Sequence, residues 1–284
     1  MKEFKDKVAV VTGAGSGIGR AMAERFAAEG MKVVLADIEK DALAQVEAEL
    51  KERETPVLAV LADVSKETDV EALAGKAIDT YGAIHVVCNN AGVGGPTGPS
   101  WERSVADWEW VLRVNLWGVI HGIRTFVPVM LEQDSEGHIV NTASVAGLVS
   151  GPWASIYHVT KHAVVTLSEA LHHELALSGA KVKASVLCPA WVDTRIADAE
   201  RNRPAELEND PAQETTTPEM EMAEQAIRQL LAEGLSPARV ADDVFNAIRD
   251  EKFYILTHPE WKDRVRTRMD DILEERSPTY DPLF

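Results

Sequence analysis

The chain has 284 residues, 45% of them hydrophobic, and carries a formal charge of −17 at pH 7. That length suits one large α/β domain with a substantial core better than two domains. The acidic balance argues against nucleic acid or an anionic membrane as a partner, because both are held by a basic face.

No apolar run approaches the ~20 residues of a membrane span. Met1-Lys2-Glu3-Phe4 leads straight into a strand without a signal-peptide core, so a cytoplasmic protein is expected. Val8 to Val11 is a short apolar run that opens into Thr12-Gly13-Ala14-Gly15-Ser16-Gly17-Ile18-Gly19, followed by a helical pattern from Arg20 to Glu29. This reads as strand, glycine turn and helix, with free backbone N–H groups and the positive helix end aimed at a pyrophosphate. The strict G-x-G-x-x-G spacing is not met; the pattern is T-G-x-x-x-G-x-G on Thr12, Gly13, Gly17 and Gly19.

Lys32 to Ala36 is the second apolar run, and Asp37 follows it directly. An acid at the end of this strand can accept both ribose hydroxyls and repels a 2′-phosphate, which points to NAD rather than NADP; its alternative role is to cap the helix near Glu39. Asp41 to Arg53 is helical, and Val57 to Leu61 is a third strand ending in Ala62-Asp63-Val64. Asp63 suits the adenine amino group and Val64 the ring, unless Asp63 is only a turn acid. After a helix over Val70 to Tyr81, Ile84 to Cys88 is a fourth strand running into Asn89-Asn90-Ala91-Gly92, whose asparagines can hold the neighbouring loop. Strands alternating with helices imply a doubly wound parallel sheet, with ligands beyond the carboxyl ends of its strands.

From Ser104 to Leu131 an apolar stripe runs through Trp108, Val111, Leu112, Leu116, Val119, Ile120 and Ile123, with Asn115 inside it. An unpaired amide there is costly, so Asn115 holds either a water or a neighbouring backbone group. Ile139 to Thr142 is the fifth strand and Ser144 emerges at its end, as a cap or a functional hydroxyl; Val182 to Leu187 is the sixth. Cys88 and Cys188 each end a strand, where cysteine acts as a small apolar filler rather than a disulfide partner.

A helix from Ala154 to Ala176 places Tyr157 and Lys161 one turn apart on one face. An ammonium ~4 Å from a phenol, at an effective dielectric of ~20, lowers the phenol pKa by about 3 units before desolvation opposes it. Such a tyrosine exchanges a proton near neutral pH. His158 and His162 share the same spacing, but no acidic or cysteine ligand accompanies them, and no metal site is expected.

With Thr12-Gly13-x-x-x-Gly17-x-Gly19, Asn89-Asn90-Ala91-Gly92, Asn115, Ser144 and Tyr157-x-x-x-Lys161 in register, the chain resembles the short-chain dehydrogenase/reductase family over roughly residues 5 to 195, and more loosely to about 257. The resemblance implies a single Rossmann-type α/β domain over about 1–258, with a seventh strand at Phe253 to Thr257. It implies a catalytic tetrad of Asn115, Ser144, Tyr157 and Lys161, NAD(P)-linked alcohol/carbonyl chemistry without a metal, and a homotetramer or dimer. The cofactor contacts it implies are Gly13, Ser16, Gly17, Ile18, Gly19, Asp37, Asp63, Val64, Asn90, Ala91, Gly92, Tyr157, Lys161, Pro189, Val192 and Thr194, with Asp37 resembling the acid of NAD-preferring members. One departure is Ala190, where the family commonly has glycine after the proline.

In this reading Tyr157 takes the alcohol proton, Ser144 bonds the substrate oxygen, Lys161 lowers the Tyr157 pKa and binds ribose, and Asn115 holds a water relay. An insertion over about 195–235, helical from about Pro218, is expected as a lid over the nicotinamide. Trp153, Trp191 and Trp101 around one mouth suggest a bulky apolar or aryl secondary alcohol. The pattern from Phe253 to Glu260 resembles bacterial members acting on such alcohols. In the extension over 259–284, Trp261, Val265, Met269 and Ile272 form a stripe that docks on the body or a neighbouring subunit. The alternatives are a 3-oxoacyl-thioester reductase of the same fold and a non-catalytic nucleotide-sensing protein; Asp37 and the negative charge disfavour the first, and the complete tetrad disfavours the second.

Overall fold

The computed structural model describes residues 1–210 and 217–280; residues 211–216 of the expected lid and 281–284 of the expected extension lie outside the described residues. The apolar runs form β1 (Val8–Thr12), β2 (Lys32–Asp37), β3 (Val57–Leu61), β4 (Val86–Asn89), β5 (Gly137–Thr142), β6 (Val182–Cys188) and β7 (Tyr254–Leu256). Between and after them lie α1 (Gly17–Ala28), α2 (Lys40–Glu52), α3 (Glu67–Tyr81), α4 (Val105–Leu112), α5 (Gly118–Glu132), α6 (Ser155–Leu177), α7 (Pro218–Ala232), α8 (Pro237–Asp250) and α9 (Lys262–Leu273).

The seven strands pair in parallel in the order β3-β2-β1-β4-β5-β6-β7. The order reverses between β1 and β4, which opens a crevice beyond their carboxyl ends. Both sheet faces are covered, so the strands are apolar throughout rather than alternating. Ala9 and Val11 of β1 pack with residues of α1, α2 and α8, whereas Val8 and Val10 pack with residues of α3, α5 and α6.

Strand β4 begins two residues later than its apolar run suggests. The Gln133 side chain accepts from the Ile84 N–H (2.8 Å) and donates to the Ile84 carbonyl (2.7 Å), taking both groups away from the sheet. Helices α4 and α5 are continuous through a wide turn at Arg113–Trp117 that contains Asn115. Against expectation, this Val105–Glu132 helix is long and apolar enough to cross a membrane by length and composition. Its buried residues, Val111, Val119, Phe126 and Met130 among them, pack inside this domain, which makes it a core helix. Cys88 and Cys188 are buried and free.

Among its described residues, the expected insertion contains two short turns, Ile196–Asn202 and Ala205–Leu207, and α7, which Thr217 caps through the Met220 N–H. In the extension, Trp261 packs on Val145 and Val149 with Val265 beside it, but Met269 and Ile272 are exposed. Only the first turn of the predicted stripe therefore docks on the body.

Candidate active site

The glycine turn after β1 is shaped by two left-handed residues, Gly13 (φ +66°) and Gly17 (φ +52°), which favour the absence of a Cβ. At Gly19 the reason is space: a Cβ would lie 2.0 Å from the Gly13 carbonyl oxygen. Ser16 starts α1 without a side-chain cap, so the first N–H groups of the helix remain open toward the crevice. The loop after β4 is tied to this turn. Thr12 Oγ1 accepts from the N–H of Asn90 (2.9 Å) and of Ala91 (3.1 Å), while Asn90 Nδ2 donates to the Thr12 carbonyl (3.0 Å). Asn89 in turn donates to Asn141 Oδ1 (2.9 Å).

Asp37 at the end of β2 accepts from the N–H of Gly15 (2.8 Å) and of Glu39 (2.9 Å), so it orients the glycine turn and opens α2 together. Asp63 accepts from the backbone and hydroxyl of Ser65, the turn role weighed for it, and lies on the crevice wall with Val64. Thr194 sits over the turn, with its Cγ2 3.0 Å from where a Gly17 Cβ would be. Val192 pairs with Leu235, and Pro189 accepts from Ser144. Ala190 is not among the residues with positive φ, so its methyl imposes no strain, and its N–H donates to His258 Nδ1 (3.2 Å).

Ser144, Tyr157 and Lys161 line the crevice, and Asn115 is buried next to it. Asn115 Oδ1 accepts from the Val93 N–H (2.8 Å) and Nδ2 donates to the Val93 carbonyl (2.9 Å), so its amide is bonded to a neighbouring backbone. A Cβ on Gly92 would lie 3.3 Å from Asn115 Oδ1 and 3.5 Å from Lys161 Nζ, which brackets how closely these side chains approach. Ser144 caps the turn after β5 through the Ala146 N–H (3.1 Å), and its hydroxyl lies near enough to Tyr157 to lower the phenol pKa.

The predicted acidification of Tyr157 is corrected by the structure. Burial pushes the phenol up to about 12, with Ser144 opposing. Burial likewise pushes Lys161 down to about 8. Lys161 Nζ lies 5.4 Å from the Tyr157 ring centroid and donates instead to the Thr142 carbonyl (3.0 Å). Desolvation outweighs an attraction at that distance. His158 Nδ1 donates to the carbonyls of Ala146 and Val149, fastening the Ser144 turn onto α6.

A cavity of about 2150 Å³ follows the carboxyl ends of the strands from Asp37 to Tyr157 and beyond, under the segment after β6. Trp153 and Trp191 line it, but Trp101 is 85% exposed and does not. Trp153 holds φ +71°, a strained position for a bulky residue, and its carbonyl accepts from the Gly98 N–H (2.7 Å).

Sequence reasoning missed the ties that hold the segment after β6. Arg203 forms a buried ion pair with Asp107 (2.8 Å) and stacks over Trp110, while Asn209 also donates to Asp107 (2.8 Å). Burial raises the Asp107 pKa, but these bonds outweigh it and hold the group ionised. Near Asp37, Arg201 (2.9 Å) and Asn202 (2.9 Å) both donate to Glu39. The capping box Ser104-x-x-Asp107 was visible locally; its partner in the distant segment was not.

A cradle of uncapped N–H groups, closely packed glycines and an acid at the end of β2 fits a dinucleotide. Residues 7–205 match the family model for short chain dehydrogenases. The chain is 36% identical over 279 residues to the CLA biosynthesis dehydrogenase/reductase of Lactiplantibacillus plantarum, covering 98% of this chain and 97% of that protein. It is 37% identical over 270 residues to the 1-deoxy-11-beta-hydroxypentalenate dehydrogenase of Streptomyces exfoliatus, covering 95% and 89%. A short chain dehydrogenase/reductase from Burkholderia phymatum, solved in complex with NAD, superposes with a TM-score of 0.95 at 48% identity, covering 99% of each chain. The chain is an oxidoreductase of the short-chain dehydrogenase/reductase family.

Proposed function

We propose that the protein interconverts a secondary alcohol and a ketone with NAD as its hydride carrier, on a substrate that is bulky and apolar or aryl. The observation that carries this reading is the convergence of Ser144, Tyr157 and Lys161 on one cavity that also contains the open glycine turn and Asp37. A bound nicotinamide supplies the acceptor for the carbinol hydride. The chain's own residues then hold the substrate oxygen between Ser144 Oγ and the Tyr157 hydroxyl, and Tyr157 takes the alcohol proton. Lys161 supplies positive charge beside the phenol and donors for ribose hydroxyls. Asn115 fixes the Val93 backbone beside them, a positioning role.

Asp37 favours NAD because its carboxylate stands where a 2′-phosphate would lie. Asp63 and Val64 flank the adenine, and Pro189, Val192 and Thr194 approach the nicotinamide end. The segment over about 195–235 acts as a lid, with Trp153 and Trp191 contributing apolar walls. The exposed Met269, Ile272 and Leu273 of α9 suit a neighbouring subunit in a homodimer or homotetramer. The test is titration of the protein with NAD and NADP, followed by turnover of aryl and alkyl secondary alcohols read by nicotinamide absorbance. NAD-linked oxidation of bulky alcohols is expected; failure to bind either nucleotide overturns the reading.

A further inference from the structure

The loop between β4 and α4 carries a cation with no anion among the described residues. Arg103 lines the cavity, its Nε is sealed from solvent without a hydrogen-bond partner, and no ion pair reaches its guanidinium among the described residues. Its chain neighbour Glu102 is exposed, and the nearby Asp107 is taken by Arg203. Thr97, in the same loop and on the same cavity, also has a buried hydroxyl without a partner. Buried polar atoms are rarely left unsatisfied.

The position of Arg103 is fixed by packing. A Cβ on Gly98 would lie 3.0 Å from the Arg103 guanidinium carbon and 3.0 Å from the Met220 methyl of α7, so the guanidinium packs over Gly98 between loop and helix. The Gly98 N–H is bonded to the carbonyl of Trp153, four residues before Tyr157. The lining of the same cavity includes Val93, Trp153 and Ile196, which are apolar.

We infer that Arg103, with Thr97, binds an anionic group on the substrate, a carboxylate separated by an apolar spacer from the carbon that is oxidised or reduced. The planar guanidinium offers a carboxylate two parallel N–H donors, and the Thr97 hydroxyl adds a third. This rests on the reading of the cavity as a substrate site. It assigns the substrate class as hydroxy acids and oxo acids with an apolar body.

The test uses calorimetry on the full chain with 4-phenylbutanoate and its neutral analogue 4-phenylbutanamide, which needs no turnover. Wild type should bind the acid at least tenfold more tightly than the amide. R103M should erase that preference, R103K should keep part of it, and T97V should reduce it by less than R103M does, with all three variants retaining the wild-type melting profile. Equal binding of acid and amide by wild type, binding of neither, or a preference that survives R103M would overturn the inference. An acid preference that vanishes in R103M, in a protein that fails to turn over any alcohol with NAD, would leave the anion site standing and remove the dehydrogenase reading alone.

Discussion

Lys161 is hydrogen-bonded to Thr142 rather than to the tyrosine one turn before it: Nζ donates to the Thr142 carbonyl at 3.0 Å and lies 5.4 Å from the Tyr157 ring centroid. Burial holds this lysine down to about 8 from its ordinary value of 10.5. The folded state therefore binds fewer protons than the unfolded chain between those values, and stability rises with pH across the window. Tyr157, raised to about 12, starts to oppose this only above its ordinary value of 10.0. Between pH 8 and 10 the cofactor-free protein should gain roughly 2 kcal/mol relative to Lys161→Met, because each pKa unit is worth about 1.4 kcal/mol. Chemical denaturation of both proteins across that range checks it.

Asp37 bonds the Gly15 N–H and stands at the crevice edge. Asp37→Ala should lower the NAD over NADP ratio of kcat/KM by about 10-fold to 100-fold, a loss of about 1.4 to 3 kcal/mol of discrimination. Steady-state rates with both nucleotides measure it. An unchanged ratio would mean that another group reads the ribose.

Arg203 joins the segment after β6 to α4 through a pair in which Arg203 is 5% and Asp107 2% exposed. Removing one partner strands the other charge, at a cost of about 3–5 kcal/mol. Arg203→Met should lower stability by that order, and hydrogen exchange should rise first over Ile196–Asn202 and Ala205–Leu207. Arg203→Lys should recover part of the loss but not the stacking over Trp110.

His85 is buried between strands, where its Nδ1 accepts from the Val8 N–H (3.1 Å), and desolvation, with Lys7 and Lys32 adding to it, pushes its pKa down to about 4. The unfolded chain takes up a proton below 6.5 that the fold resists, so stability falls as pH drops from 6.5 toward 4. His85→Gln should flatten that slope in thermal melts even where it lowers the melting temperature overall. An equally steep slope in the variant would place the acid sensitivity elsewhere, as in the buried His138.

What could be read in advance follows from what is local. The glycine turn, the acid ending β2, the asparagines ending β4 and the Tyr157–Lys161 pair each sit within one turn or one strand end, where backbone geometry alone fixes their placement. The sign of the Tyr157 shift could not be read, because it depends on how much water the fold excludes and on Thr142 capturing the ammonium. Trp101 was misplaced for a related reason: proximity in sequence to the mouth does not orient a side chain in an irregular loop. The Arg203–Asp107 and Arg201–Glu39 ties join residues 96 and 162 positions apart and leave no periodic trace. Asn115 was legible as an anomaly in an apolar stripe, but the wide turn that presents it to Val93 was not.

The central claim is that the Tyr157 hydroxyl moves the substrate proton. It is tested most directly by single-turnover oxidation of a secondary alcohol by Tyr157→Phe saturated with NAD, beside wild type. The rate should fall by at least about 100-fold, as expected when a positioned acid–base group is removed, with NAD affinity and melting temperature close to wild type. A folded, NAD-binding variant that retains a rate within about threefold of wild type would contradict the account.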